Sequence, residues 1–564
     1  MRGPLLGLAV DARTGEVAIA TNAGSPGTAQ IDHQAHLSEP VRAGELIAAR
    51  DGDTAHPVRW VWWSDQVPRA LLAHGIRPGR GLDLLQTDLL LHGGARAAPE
   101  HIWARAMGLD PDGVPARHQG DLFDSPDDPP VGSDGPQPLD EQGYLRPGFL
   151  AAEGSTASQW AHLAVRVAEQ QTQQLQERPR AVATAYSESG AAMLALELER
   201  TGLPVHRPTL ERLIEASAGP RPHTPQHEID ARAVRDAAVL ALIPPGRAVD
   251  LRNPEQVLNM LHGLGIRVDN TRKWELDRYR STHPVVDALL RWRADERIAT
   301  TYGWAWLRDH VGPDDRLRGR WHSFDGGAGR MTAEAGLHNL PAALRPAVVA
   351  APGHLFIRAD LGQIEPRVLA VVSGDPALIA ATAQDDLYRT VADQLRVERP
   401  IAKVAVLSAM YGGAAGQAAA ALEGLDRAYP TAMAYLRAAQ ATGESGGSIT
   451  TYGGRLITVP RSTEQAQARA RGRFARNAVV QGAAAEFFKA WALTARHAIA
   501  AYDARIVLCL HDELLVHVPE EHAPATAAAV DSALQDAARR WTEGSPARFV
   551  SDTGIVRSWA DAKP

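Results

Sequence analysis

The chain has 564 residues, 45% hydrophobic and 22% charged, which suits a soluble protein with room for two or more cored domains. Its single cysteine, Cys509, excludes an intrachain disulfide framework and fits a reducing cytoplasm. No long apolar span or signal-peptide layout is present, and the net charge of −7 argues weakly against a nucleic-acid partner unless basic residues cluster locally.

Residues 1 to about 100 mix short apolar runs with Gly and Pro punctuation. Residues 59–63 (RWVWW) read as a strand, 66–74 as a short helix closed by Gly75, and 83–92 as a second helix. The stretch 110–147 is rich in Pro, Gly and Asp and reads as a solvated loop or linker. A polar helix over 158–177 follows, then a helix over 187–201 that carries Met193, Leu194, Leu196 and Leu198 and stops at Gly202. From 204 to 310 the pattern is helix after helix, clearest at 255–264 and 285–305. The block after it sets Arg330 behind a Gly-rich turn and Asn339 before Pro341.

The stretch 355–375, LFIRADLGQIEPRVLAVVSGD, organises the rest. Leu355, Phe356 and Ile357 predict a buried strand that stops at Asp360. A turn through Leu361 and Gly362 leads into a helix with Ile364, Val368, Leu369 and Val372 on one face. Pro366 suits its first turn and Gly374 its end. Asp360 is thus held at a strand mouth, with Glu365 above it on the helix. A second acidic group, His511-Asp512-Glu513, lies between two apolar runs in the pattern of a hairpin with a functional tip. Carboxylates on adjacent rigid elements are what two-metal phosphoryl transfer requires, although a solvated turn would read the same way.

Two helical stripes supply the other chemistry. Arg399, Lys403, Leu407 and Tyr411-Gly412 recur at spacing four, so cationic groups that can grip a triphosphate share one face with apolar groups that can meet a base pair. The chain's lysines are Lys273, Lys403, Lys489 and Lys563 against abundant arginine, so a lysine kept in a motif is informative. Arg473, Asn477 and Gln481-Gly482 repeat the spacing, downstream of Arg455, Arg461, Arg469 and Arg471, with Glu464 opposing. This is the local basic patch that the net charge conceals. Its side chains suit the minor-groove acceptors common to all base pairs.

The strings DxxQIExR, RxxxKxxxxxxxYG and HDE, in that order, resemble motifs A, B and C of family A DNA polymerases, the bacterial DNA polymerase I type. The similarity extends through GRM and LHNLP (330–341), RxxxNxxxQG and the closing TGIVRSWADA, and covers about 180–564. The resemblance implies an α/β multidomain protein whose polymerase region, 181–564, is a right hand. Its thumb would lie at about 206–312, its palm at about 313–380 and 490–564, and its fingers at about 381–489. It implies that Asp360, Asp512 and the Leu361 carbonyl ligate two Mg²⁺ ions, with Mn²⁺ as an alternative, and that Lys403 serves the leaving group. Arg399, Lys403, Leu407, Tyr411, Gln363, Glu365 and Tyr388 would bind the incoming deoxynucleoside triphosphate, Glu365 as the gate against a 2′-hydroxyl. Arg330, Arg473, Asn477, Gln481 and His511 would contact primer–template DNA. A monomer in the bacterial cytoplasm, associated with the nucleoid and without a membrane partner, is expected. Leu407 stands where the family usually has Phe or Tyr, Tyr388 replaces a usual His, Pro366 replaces a usual Leu, and the segment from Tyr388 to Arg399 is short.

Residues 1–180 resemble, more faintly, the ribonuclease-H-like 3′–5′ exonuclease domain of the same enzymes. A working site needs a DxE on the first strand, but Asp11 and Glu16 are too far apart, and Trp63 and Val67 stand where polar residues belong. Asp83 and Glu169 remain without making a site. The domain is expected to be a degenerate scaffold, and no separate 5′-nuclease domain is expected, so flap removal would need another protein. The alternatives are a bifunctional enzyme with residual 3′–5′ exonuclease and a catalytically silent DNA-binding accessory protein.

Overall fold

The computed structural model describes residues 4–21, 30–52, 57–94, 96–115, 137–152, 154–244, 249–412, 417–459, 465–510 and 512–562. Five N-terminal strands, β1 (Leu5–Val10), β2 (Glu16–Thr21), β3 (Gln30–His36), β4 (Arg59–Trp62) and β5 (Gly81–Asp83), form a sheet in the order β3-β2-β1-β4-β5. The first three pair antiparallel, whereas β4 runs parallel to β1 and β5 parallel to β4. Period-2 alternation gives this sheet two buried faces. Leu6, Leu8, Val10, Trp60 and Trp62 pack with Ile47 and Leu71 of helices Pro40–Asp51 and Gln66–Ala73. Ala9, Val61 and Trp63 pack on the other side with α1 (Leu84–His92) and α2 (Ala157–Gln176). Gly7 lies where β1 touches α2, and a Cβ there would come within 2.0 Å of the Ala161 carbonyl oxygen. No larger residue fits without moving the helix. Most of the expected 110–147 loop, residues 116–136, lies outside the described residues.

Helix α3 (Ala181–Thr201) begins six residues before the expected start. Its first turns bury Ala181, Thr184 and Ala185, small residues that carry little hydrophobic signal. Helices Pro225–Leu240, Pro254–Gly263 and Pro284–Thr301 share a separate core around Val257, Leu261, Val286 and Leu289. The single helix expected over 285–305 is two, Pro284–Thr301 and Trp304–His310. Gly303 has poor helix propensity, and Tyr302 is buried with its hydroxyl donating to the Asn339 carbonyl at 2.9 Å.

A hairpin, β6 (Trp321–Asp325) and β7 (Arg330–Ala333), leads to the second sheet. Its strands are β8 (His354–Leu361), β9 (Arg505–Leu510), β10 (Glu513–Pro519) and β11 (Ser551–Val556), all antiparallel in the order β9-β10-β8-β11. The expected strand and hairpin are therefore neighbours. β8 continues through Leu361, past the expected stop at Asp360, because Asp360 and Leu361 still ladder with β11. Around this sheet lie α4 (Ile364–Ser373), α5 (Leu387–Leu395), α6 (Arg399–Tyr411), α7 (Gln465–Ile499) and α8 (Ala523–Trp541). The long α7 packs against α3, α8 and helix Pro430–Glu444. Among the described residues, no helix is long and apolar enough to cross a membrane.

Four fully buried charges join α3, α7 and the turn before Arg455. Lys489 on α7 donates to Glu188 on α3 at 2.6 Å and to the Gly329 carbonyl of the β6–β7 turn at 2.7 Å. Arg455 pairs with Glu188 at 2.8 Å and with Glu486 at 4.0 Å. Burial works against charge on Glu188, but Arg455 and Lys489 outweigh it and hold the carboxyl below its ordinary range. Burial instead pushes Glu486 up to about 7. Desolvation makes such a cluster a weak source of net stability, yet removing one member strands the others. Lys489→Met should lower the unfolding free energy by about 3 kcal/mol, read as a shift of the urea midpoint at unchanged slope.

Glu486 also predicts a pH signature. Its folded value of about 7 lies above the ordinary 4.5, so the cost of ionising it in the fold is fully present above pH 7. That cost is relieved as the pH falls towards 4.5. Glu486→Gln should therefore compare more favourably with the native chain at pH near 8 than at pH near 5, measured by urea unfolding at each.

Candidate active site

Strand pairing sets the geometry. Register puts Asp360 opposite Glu513 on one side and Asp552 on the other, and the Leu361 N–H donates to the Asp512 carbonyl at 2.8 Å. The two aspartates thus sit on adjacent parts of one sheet. Leu361 itself is buried in the strand. His511, predicted to contact DNA, lies outside the described residues.

The turn out of β8 is braced from several sides. Gln363 holds φ at +56°, in the left-handed region where non-glycine residues are uncommon. Its amide donates to Asp386 at 2.9 Å, and its carbonyl accepts the Leu387 N–H at 2.8 Å, so its side chain ties the start of α4 to the start of α5. Arg367 is fully buried and donates to five carbonyl oxygens, those of Gly362, Thr382, Gln384, Asp385 and Arg548, at 2.7 to 3.0 Å. Burial draws its pKa down to about 10. Asp375, the last residue of the organising stretch, accepts from Ala377 and Leu378 at 3.0 Å and from Thr431 and Ala432 at 3.0 and 3.1 Å, capping two helices at once.

Helix α6 buries Ala402, Ala405, Val406, Ala409 and Met410 and turns the predicted stripe outward. Tyr411 donates its hydroxyl to Glu365 at 2.6 Å, and Gln481 donates to the Tyr411 oxygen at 3.4 Å. Burial raises the Glu365 pKa against the pull of that hydroxyl. It also pushes both Tyr388 and Tyr411 up to about 12, so the phenols stay protonated. Arg399 is exposed and pairs with Asp386 at 2.5 Å, its guanidinium 5.9 Å from the centre of the Tyr388 ring.

These residues meet in a cleft of about 370 Å³. Arg330, Gln363, Glu365, Tyr388, Lys403, Leu407, Tyr411, Gln481 and Asp512 line it, with Pro366 and Phe488. A larger groove of about 970 Å³ lies between Ala218 and Arg308 and holds none of the predicted site residues. Asp360 is not among the residues lining the smaller cleft; its carboxylate pairs with Arg358. Arg473 and Asn477 also lie outside it. The Arg473 stem would be 3.2 Å from a Cβ at Gly412, whose φ of +80° separately favours glycine. The Asn477 Oδ1 is buried without a hydrogen-bond partner among the described residues.

Three participants escaped the sequence reading. Arg358 is 2% exposed in the centre of β8, and a charge within an apolar strand was its signal. Arg367 stood inside a recognised motif without a role. Asp386 gave no signal, because its importance comes from the approach of α6. No group of three or more His, Cys, Asp or Glu among the described residues could hold a metal by itself. A cation here would need Asp360, Asp512 and the Leu361 carbonyl, completed by water or phosphate oxygens, and that all-oxygen set suits a hard divalent ion.

The N-terminal carboxylates are otherwise engaged. Asp11 pairs with Arg13 at 2.9 Å and Asp88 with Arg105 at 2.5 Å. Asp83 caps α1, accepting from Gln86 and from the Trp62 indole, both at 3.0 Å, and burial pushes it up to about 7. Trp63 and Val67 are buried, and Glu169 lies on α2 away from a carboxylate cluster.

Comparison with known proteins decides the family. The model of DNA polymerase family A matches residues 246–560, more than half of the chain. The chain belongs to DNA polymerase family A. Family A polymerases use divalent metal ions. This member is 28% identical over 320 residues to DNA polymerase theta of Caenorhabditis elegans, across 52% of the chain and 19% of that protein. It is 28% identical over 324 residues to the thermostable DNA polymerase I of Thermus filiformis, across 52% of the chain and 38% of the relative. DNA polymerase I of Deinococcus radiodurans is 26% identical over 362 residues, 56% of the chain and 37% of the relative. The matches thus span less than half of each relative. In fold, the chain superposes on the polymerase domain of Pol1 from M. smegmatis, solved with DNA primer-template and dNTP, with a TM-score of 0.70 and 20% identity. That superposition covers 100% of this chain and 97% of the other.

The Asp386–Arg399 pair gives a direct test of this family A site. Asp386→Asn releases the guanidinium for an anion and should tighten binding of inorganic triphosphate roughly three- to tenfold, measured by calorimetry. Unchanged affinity would show that the pair does not restrain Arg399.

Proposed function

We propose that this chain is a template-directed DNA polymerase that adds deoxynucleotides to a primer 3′ end, in repair or gap filling. The observation that carries the reading is the cleft in which Lys403, Tyr411, Glu365 and Asp512 converge. Asp360, Asp512 and the Leu361 carbonyl would hold two Mg²⁺ ions, or Mn²⁺ in their place. When bound, such ions supply Lewis-acid activation of a hydroxyl and neutralise phosphate charge. Lys403 is exposed in the cleft and presents its Nζ to the leaving phosphates. Arg399 exchanges the Asp386 carboxylate for the outer phosphates, which its planar fork fits equally well. Tyr388 lies beneath that guanidinium.

Glu365 and Tyr411, joined by a hydrogen bond, form a wall that a ribose 2′-hydroxyl would meet. Leu407 packs against the nucleotide without the stacking an aromatic ring would add. Arg330 and Gln481 border the same cleft, and with Arg473, Asn477 and His511 they serve the primer–template minor groove. We read residues 1–180 as a ribonuclease-H-like domain of the 3′–5′ exonuclease type, because three antiparallel strands precede two parallel ones. Its engaged carboxylates support a degenerate, scaffolding role. Residues 181–564 divide as thumb, palm and fingers at the boundaries given above, and the protein acts as a monomer in the bacterial cytoplasm.

Primer extension on a labelled hairpin with Mg²⁺ tests the reading. Asp512→Ala should abolish synthesis, and 3′ degradation that survives it would point to the N-terminal domain instead. Glu365→Ala should raise ribonucleotide incorporation relative to deoxynucleotide roughly 10- to 100-fold. Unchanged sugar selectivity would remove Glu365 from the gate.

A further inference from the structure

Arg358 and Asp360 are two residues apart on β8, so their side chains leave the same face of the sheet. The Arg358 guanidinium pairs closely with Asp360, lies 3.3 Å from Glu513 on β10 and 3.1 Å from Asp552 on β11. Glu513 also accepts the Trp559 indole N–H at 2.6 Å, which fixes it from the other side. Three strands therefore bring three carboxylates to one buried arginine, next to Asp512 at the hairpin tip. Like charges this close repel unless a cation sits among them, and a guanidinium stays protonated at any working pH.

We infer that Arg358 is a built-in counter-ion of the carboxylate cluster, a positioning residue that holds Asp360 and competes with a divalent cation for it. This rests on the reading of Asp360 and Asp512 as metal ligands. The pairing accounts for an otherwise odd feature: Asp512 lines the cleft, whereas Asp360 does not. The cation must share Asp360 with the guanidinium or draw it away, and it must bind against a neighbouring positive charge. Binding of the ion to the protein alone is therefore weak, and the phosphate oxygens of a substrate make up the difference. The metal-free fold, in turn, does not depend on an ion to offset repulsion among its carboxylates.

The test is Mn²⁺ binding to the full chain without nucleotide or DNA, followed by loss of the free-ion electron paramagnetic resonance signal. Arg358→Gln should bind Mn²⁺ roughly three- to tenfold more tightly, because a unit charge beside the ion is gone. Arg358→Lys keeps that charge and should stay within about twofold of the native chain. Asp512→Asn must weaken binding; if it does not, the metal-site reading itself fails, whatever Arg358 does. If Asp512→Asn weakens binding but a folded Arg358→Gln does not tighten it, the counter-ion role alone is overturned. Should Arg358→Gln unfold in chelator, saturating Mn²⁺ must restore its melting transition, since the ion takes over the counter-charge. A variant that stays unfolded in Mn²⁺ would make Arg358 a structural residue and overturn the inference.

Discussion

One backbone hydrogen bond, from the Leu361 N–H to the Asp512 carbonyl at 2.8 Å, fixes where everything else in the site must go. It closes the ladder between β8 and β10 at the end where both chains turn. The strand pair it completes is buried on both faces, with Phe356, Ile357, Leu514 and Val516 fully enclosed. A one-residue slip would turn Asp360 to the opposite face and take it away from Glu513 and Asp552. The apolar pattern that makes this sheet a core is therefore also what holds two aspartates together, and packing and chemistry cannot vary independently here.

The groups proposed to bind substrate are already engaged within the protein. Arg399 rests on Asp386, Tyr411 on Glu365, and Asp360 on Arg358. Two of these partners match the ligands proposed for the site, a carboxylate in place of phosphate at Arg399 and a guanidinium in place of a cation at Asp360. Partly buried charges left alone would cost far more than such pairs. The arrangement converts binding into exchange, so that net affinity is the difference between two good interactions. Lys403, exposed on α6, and Arg330, exposed at the start of β7, both reach into the cleft as cations on flexible stems.

Local elements with strong patterns were legible in the chain. The strand leading to Asp360, the stripe on α6, the hairpin around Asp512 and the helical spacing of Arg473, Asn477 and Gln481 on α7 follow from periodicity and punctuation. What could not be read were features that depend on approach in three dimensions. Asp386 matters because α6 begins beside it, and Arg367 because three loops present carbonyl groups to it. The early start of α3 was hidden because alanine and threonine bury as readily as leucine when a neighbouring helix is close. The break at Tyr302 was hidden because its cause, a hydroxyl bond to Asn339, lies 37 residues away.

The scarcity of lysine singles out Lys403, and it singles out equally Lys489, which does not line the cleft. Lys489 is buried with two short hydrogen bonds, in a space shared with Arg455. A compact ammonium fits there with its donors pointed at Glu188 and Gly329, where a second planar fork would need more room. Its position also ties the N-terminal sheet, by way of α3, to α7. The β5 edge of that domain rests on α3 through the Ser189 hydroxyl, which accepts the Asp83 N–H at 2.9 Å. Glu188 is the preceding residue on α3, and through Lys489 it braces α7, the helix that carries Gln481 into the cleft. The N-terminal sheet is thus linked, through α3 and Lys489, to a helix that lines the cleft.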